Sequence, residues 1–376
     1  MPLTPENMPS PSNPIRVMVV DDSAVIRGFL TRFIESDTSL KVTTSLSNGQ
    51  LAVGSMEPGK YEVVVLDIEM PVMDGMTALP LILKADPNVQ VIIASTLTQA
   101  NAAITMKAMQ TGAADCLAKP TSQELAGSTN FQDELAQKVR ALGVSSRRKR
   151  GGASTPAVAG SAITPAPSTA KKFTLRPEII KYAPDVIAIG SSTGGPQALL
   201  QFFTDMKGKA RQPIFITQHM PPTFTTILAE NIAKQGGLNC HEAKDGEPVE
   251  GSNIYVAPGN FHMTVKEQGG KKIIALNQEP QENYCRPAVD PMLRSLINVY
   301  GKKILAVIFT GMGADGLKSC QQLVEAGGTV LAQDEASSVV WGMPGAVAMA
   351  GICTQVLPLT SMARAVREYA DRGGSL

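Results

Sequence analysis

The chain of 376 residues lacks any apolar run long enough to cross a bilayer, which predicts a protein not embedded in a membrane. Its first residues, MPLTPENMPSPSNP, are polar and proline-rich, so no secretory leader is expected. Paired cysteine spacing is missing too. The five cysteines stand at 116, 240, 285, 320 and 353, an odd number that excludes a complete disulfide framework and predicts a reducing compartment. Cysteines and histidines also lack the ligand spacing of a zinc site. Charge of one sign is not in excess. Lys and Arg total 34, Asp and Glu 33, for a formal charge of +1, which argues against a surface that coats nucleic acid. The expectation is a cytoplasmic protein that binds no nucleic acid. Only three histidines are available for imidazole chemistry: His219, His241 and His262.

What is present is ample apolar material, 43% of residues, enough for two or three domains with sizeable cores. After a polar N-terminus (1–13), expected to be disordered, apolar strands alternate with amphipathic helices over 14–142. Strands are predicted at 15–20, 63–66, 89–94 and 114–117, and helices at 23–35, 100–110 and 123–142. This pattern implies a doubly wound α/β domain with a parallel sheet, expected to have five strands although only four are read directly as apolar runs. A linker over 143–183 follows. Its stretch GGASTPAVAGSAITPAPSTA (151–170) cannot bury enough apolar surface to offset ordering entropy. The basic cluster RRKR at 147–150 is read as a solvated run. A second α/β domain, 184–372, has strands predicted at 186–189, 213–217, 253–257, 272–277, 304–309 and 329–332. Its helices are predicted at 196–206, 224–235, 287–300, 316–326 and 361–371, with hairpins rather than crossovers between 240 and 277. The expectation is a mostly parallel hydrolytic α/β domain with hairpin strands.

In the first domain, Asp21 and Asp22 follow the first strand and Asp67 follows VVVLD. Carboxyl ends of parallel strands face a common crevice, so these acids would repel one another unless a hard cation joins them. Ser95 and Lys119 end two further strands. The set suits Mg²⁺ beside a phosphorylated aspartate. The runs DD (21–22), LDIEMPVMDG (66–75), AST (94–96) and AKP (118–120) resemble the response-regulator receiver family. That resemblance implies Asp67 as phosphoacceptor, Asp21, Asp22, Asp67 and the Glu69 carbonyl as the metal set, and Ser95 and Lys119 as phosphoryl sensors, with Thr96 the neighbour of Ser95 to be weighed.

The second domain opens with IGSSTGGP (189–196), between an apolar strand and a helix. It has no lysine for a phosphate loop and no GxGxxG fingerprint. Glycines at 190, 194 and 195 and Pro196 at a helix start suit a nucleophile on a sharp turn, with Ser192 and its neighbour Ser191 both available. His219 stands after the strand PIFITQ, at the same sheet edge as Ser192, and is the predicted base. Asp315, in FTGMGADG, is the predicted orienter, with Asp290 and Asp334 as rivals. The glycines around it allow exposed N–H groups for an oxyanion hole.

The runs AIGSSTGGP (188–196), ITQHMPP (216–222), VAPGNFHM (256–263), CRPAVDPML (285–293) and FTGMGADG (309–316) resemble the chemotaxis protein-glutamate methylesterase family. Cys285 and Ala288 depart from the residues frequent in that motif, as Ser191 does in its own. The resemblance implies Ser192 as nucleophile, His219 as base, Asp315 as orienter and the Met312 N–H as oxyanion donor. It also implies a serine hydrolase acting on chemoreceptor glutamyl methyl esters and glutamines, with no cofactor at the esterase site. The implied phosphodonor is a chemotaxis histidine kinase, and the unphosphorylated receiver is expected to restrain the esterase. Arg286 is predicted to meet either an acidic receptor helix or an internal acid. Other readings are a binding module without catalysis, a small-molecule carboxylesterase, and a receiver-controlled DNA-binding factor. The last is disfavoured by the many strands and the low positive charge.

Overall fold

Val17, Met18 and Val19 are fully buried along β1 (Ile15–Val20), as expected of a central parallel strand covered on both faces. The computed structural model describes residues 8–96, 98–119, 129–151, 173–177, 183–207, 210–237 and 239–372. The chain divides into two units, each described by itself.

The first unit holds β1 with β2 (Leu40–Leu46), β3 (Val63–Asp67), β4 (Gln90–Ser95) and β5 (Asp115–Ala118). They form one parallel sheet in the order β2-β1-β3-β4-β5. Its helices are α1 (Ala24–Ile34), α2 (Gly49–Ser55), α3 (Gly75–Ala85) and α5 (Thr129–Gly151), while the residues of α4 (Gln99–Thr111) are divided between the two units. Ser23, Asn48 and Asp74 cap α1, α2 and α3 by accepting an N–H in the first turn. The sequence reading did not identify β2. Its burial alternates at the sheet edge, where an apolar run is not required.

α5 runs on to Gly151, past the predicted end at Leu142. The basic cluster is therefore not a solvated run. Arg147 donates to the carbonyls of Asn13 and Pro14, and Arg150 to Tyr61 O and Asp86 Oδ2. These donors tie the helix end to the strands' amino edge. Residues 10–13 form a turn in which Ser10 and Asn13 exchange backbone hydrogen bonds. The linker expectation for 152–172, and the disorder expectation for 1–7, fall outside the described residues.

The second unit holds β6 (Val186–Ser191), β7 (Ile214–Gln218), β8 (Asn239–Glu242), β9 (Asn253–Val256), β10 (His262–Gln268), β11 (Lys271–Asn277), β12 (Ile304–Ile308), β13 (Thr329–Gln333) and β14 (Gln355–Leu357). Seven of these form a parallel sheet in the order β14-β13-β12-β6-β7-β9-β8, and β10 and β11 form a separate antiparallel hairpin. Only part of the 240–277 stretch is a hairpin. β8 and β9 pair in parallel, so the short segment between them is a crossover. The helices are α6 (Gly195–Met206), α7 (Phe224–Gly236), α8 (Val289–Tyr300), α9 (Leu317–Glu325), α10 (Met343–Met349) and α11 (Leu359–Ala370). Phe202 packs edge-on against Phe203 and Phe309, all three fully buried. Each such ring contributes roughly 1.5–3 kcal/mol by leaving water. Among the described residues no helix is long and apolar enough to cross a membrane.

β6 is flanked by β12 on one side and β7 on the other. The chain leaves β6 for β7 and returns later to β12, so the carboxyl ends of these three strands border a switch point, where open α/β sheets place their sites.

Candidate active site and receiver site

The strand ends place the three predicted residues. Ser192 follows β6, His219 follows β7, and Asp315 lies in the loop from β12 to α9. Backbone bonds lock these ends together. Ser192 N donates to Thr310 O at 3.0 Å, and His219 N to Ser191 O at 3.2 Å. Gln218 Nε2 donates to the carbonyls of Ser192 and His219, at 3.0 and 3.2 Å.

Glycines make the turn possible. Gly194 caps α6 with φ of 76°, a left-handed conformation that costs a side-chain-bearing residue energy. At Gly311, a Cβ would come within 2.9 Å of Ser192 Cβ and 2.4 Å of Met343 Sδ. The loop after β12 thus approaches the serine closely because position 311 has no side chain.

The two serines differ. Ser191 is fully buried and its hydroxyl donates to Gln218 Oε1 at 2.7 Å. Ser192 is 9% exposed, and its hydroxyl makes no hydrogen bond among the described residues. Of the two, only Ser192 keeps its hydroxyl free among the described residues.

His219 Nε2 lies 2.7 Å from Asp315 Oδ2. Its Nδ1 lies 3.3 Å from Cys285 Sγ. The structure therefore joins His219 to Asp315 directly, and to Ser192 through backbone and Gln218 rather than through the hydroxyl. Burial opposes charge on the ring, but the Cys285 sulfur and the Asp315 carboxylate outweigh it and hold His219 above the ordinary histidine range.

Asp315 is 2% exposed and accepts four donors. Oδ2 takes His219 Nε2 and, at 2.6 Å, Val289 N; Oδ1 takes Asn283 Nδ2 at 2.8 Å and Asp290 N at 3.2 Å. Val289 and Asp290 open α8, so the carboxylate sits on a helix N-terminus. Burial alone would raise its pKa. The His219 contact and the two N–H groups reverse that and hold it below the usual carboxylate value.

The rivals are engaged elsewhere. Asp290 Oδ1 accepts Ser319 N and Oγ, which caps α9. Asp334 Oδ1 accepts Ser337 N and Oγ in the turn after β13. His241 pairs with Glu247, and His262 bonds Pro280 O and Ala288 N. Arg286 forms no ion pair with an internal acid among the described residues. It donates to Asn260 Oδ1 and to the carbonyls of Gln278 and Glu279, and so pins its own loop. Near Ser192, Gly311 N donates to Val340 O, whereas Met312 N–H donates to no atom among the described residues. Gln218, Cys285, Asn283 and the α8 terminus were not identified from sequence. Only Gln218 carried a local signal, as the residue before His219.

In the first unit, Asp21, Asp22 and Asp67 present carboxylate oxygens within 4.8 Å of one another. Lys119 Nζ stands 2.7 Å from both Asp21 Oδ2 and Asp67 Oδ2. Asp21 Oδ2 is buried and has this charge contact but no aligned hydrogen-bond donor. An all-oxygen acid cluster with such an oxygen fits a hard divalent cation. Burial, with Asp21 adding to it, raises the Asp67 pKa against the pull of Lys119. Glu69 N reaches Asp67 Oδ1 at 3.4 Å, which places residue 69 beside the predicted phosphoacceptor. Ser95 is buried at the end of β4, its hydroxyl 3.3 Å from Thr96 O.

Two family models match the chain: response regulator receiver domain over residues 17–128 and CheB methylesterase over 187–366. A protein-glutamate methylesterase/protein-glutamine glutaminase of Rhodospirillum rubrum is 54% identical over 372 residues, covering 96% of each chain. Its counterpart in Azospirillum brasilense is 53% identical, covering 96% of this chain and 94% of that one. The Thermotoga maritima CheB methylesterase catalytic domain is 40% identical over 50% of this chain and 98% of that one, with a TM-score of 0.48. With receiver and hydrolase halves both matched and the likeness running nearly end to end, the chain belongs to the protein-glutamate methylesterase/protein-glutamine glutaminase family.

Proposed function

We propose that the second unit hydrolyses glutamyl γ-methyl esters and deamidates glutamines on chemoreceptor helices, under control of phosphorylation at Asp67. The observation that carries the chemistry is the His219–Asp315 pair at the strand ends beside the free Ser192 hydroxyl. Asp315 holds the proton on Nε2, which leaves Nδ1 as the base. A side-chain rotation brings Ser192 Oγ to Nδ1 in place of the Cys285 sulfur. Oγ attacks the γ-carbonyl carbon as its proton passes to Nδ1. The oxyanion develops within reach of the Met312 N–H, which donates to no atom among the described residues. The tetrahedral species collapses, the C–O bond to methoxide breaks, and Nδ1 returns the proton to release methanol; a glutamine releases ammonia instead. Water then gives a proton to Nδ1 as it attacks the acyl carbon; the bond from that carbon to Ser192 Oγ breaks, Nδ1 returns the proton to Oγ, and the glutamyl carboxylate is released.

In the receiver, Asp21, Asp22 and Asp67, with the Glu69 carbonyl, would hold Mg²⁺, whose charge when bound offsets the acids and an incoming phosphoryl group. Asp67 takes the phosphoryl group from a kinase phosphohistidine, forming an O–P bond as the N–P bond breaks. Lys119, already on Asp67, and the Ser95 hydroxyl then pair with its oxygens. The new charge shifts a two-state packing of the receiver from the restraining form to the permissive one.

The test is methanol release from membranes carrying radiolabelled methylated receptor, with and without a small acyl phosphate donor. Wild type should release methanol faster with the donor, and Asp67→Asn should not respond to it. Equal turnover of a free glutamate methyl ester would make the protein a small-molecule esterase instead.

Cys285 yields a pH prediction. The base must be neutral, so kcat/KM rises with pH as Nδ1 loses its proton. Removing the sulfur in Cys285→Ala removes a cause of the raised ring pKa. The acid limb of kcat/KM should therefore move to lower pH. An unmoved limb would show that Cys285 does not influence the working base.

A further inference from the structure

The loop before α8 contains a two-residue hairpin. Glu282 and Cys285 exchange backbone hydrogen bonds, at 3.2 and 2.9 Å, around Asn283 and Tyr284. Both central residues have left-handed backbone, φ of 52° and 63°. That is the mark of a primed turn, which asparagine tolerates and tyrosine does not favour. Tyr284 is 89% exposed and packs no core, so its own burial does not hold the turn. The hairpin is instead held at its ends. Glu282 pairs with Arg294 of α8, Cys285 meets His219, and Arg286 pins the following segment.

This turn aims one group inward. Asn283 Nδ2 donates to Asp315 Oδ1 at 2.8 Å and to Asp290 Oδ2 at 3.1 Å. Two carboxylates accept only, so both amide hydrogens are committed and the orientation of the amide is determined. Resting on the triad reading above, we infer that Asn283 is a positioning residue: it fixes the Asp315 carboxylate so that Oδ2 faces His219 Nε2. The α8 N–H groups of Val289 and Asp290 hold the same carboxylate from the other side. Asn283 also draws negative charge toward Oδ1, away from the ring. Asp315 and Cys285 face His219 directly, and Asp290, Arg294 and Glu282 stand behind them.

Two variants of the full chain separate positioning from fold. Asn283→Gly keeps the left-handed turn but deletes the donor. Asn283→Asp keeps shape and turn propensity but sets a third carboxylate against two others. Losing a hydrogen bond to a charged group predicts that Asn283→Gly lowers kcat for methanol release about tenfold, with KM unchanged. Asn283→Asp should lose at least as much, the reverse of what a merely structural role gives. The His219 ring, followed by NMR and assigned with His219→Gln, should titrate at higher pH in both variants, because more of the Asp315 charge faces it. The inference is overturned if both variants keep kcat within twofold and the His219 titration does not move, or if Asn283→Asp matches wild type. Should wild type show no Ser192-dependent methanol release, the esterase reading fails. The His219 titration in the two variants then still decides whether Asn283 governs Asp315.

Discussion

Ser192→Ala should lower methanol release by about 10⁴-fold or more, because it removes the hydroxyl that forms the acyl-enzyme. Ser191→Ala is the matched control. Ser191 is buried and its hydroxyl is spent on Gln218 Oε1. Its loss leaves that oxygen without its donor and costs about 1–3 kcal/mol of stability, which thermal unfolding would register. Gln218 also supports the carbonyls of Ser192 and His219, so a modest fall in rate is expected, but not elimination. The measurement is single-turnover methanol release with each protein at saturating receptor. Full activity in Ser192→Ala, or loss in Ser191→Ala alone, would assign the nucleophile wrongly.

Asp315→Asn should cost about 10⁴-fold in kcat, for a reason of hydrogen-bond direction. Asp315 accepts from His219, Val289, Asp290 and Asn283. An amide has one accepting oxygen, so its NH₂ must face donors on one side. If NH₂ faces His219, Nε2 must accept, the ring proton moves to Nδ1, and Nδ1 can no longer take the serine proton. If NH₂ faces the other side, it opposes Asn283 Nδ2 and Asp290 N. Loss of the carboxylate also lowers the ring pKa, so the acid limb of kcat should move to lower pH while the plateau falls. Recovery of wild-type rate on the high-pH plateau would mean that charge, not tautomer, is the contribution of Asp315.

Much of this architecture was legible because it is written in local pattern. Val186–Ile189 and 304–309 are continuous apolar runs followed at once by a glycine and a threonine, so strand ends, and therefore Ser192, His219 and Asp315, could be placed at one sheet edge. Asp21, Asp22, Asp67 and Lys119 were placed by the same logic. β2 escaped because a partly solvated edge strand need not be apolar, and β8, with its parallel pairing to the predicted β9, because a short parallel crossover leaves no helical signature. The basic end of α5 looked solvated, since nothing local indicates that Arg147 and Arg150 reach backbone carbonyls well over a hundred and nearly ninety positions away respectively.

By itself, then, the sequence determined the two α/β units, the acid set of the receiver and the order serine, histidine, aspartate along the hydrolase. Each follows from short-range periodicity and from which residue stands at a strand's end. Tertiary structure decided which serine keeps a free hydroxyl and which aspartate meets the imidazole. It also set Cys285 on Nδ1, and Asn283 with the α8 N-terminus around the Asp315 carboxylate. These are contacts between segments far apart in the chain. Hydrogen-bond geometry is satisfied in space, and residues 219, 285 and 315 become neighbours only once the sheet has set their strand ends side by side.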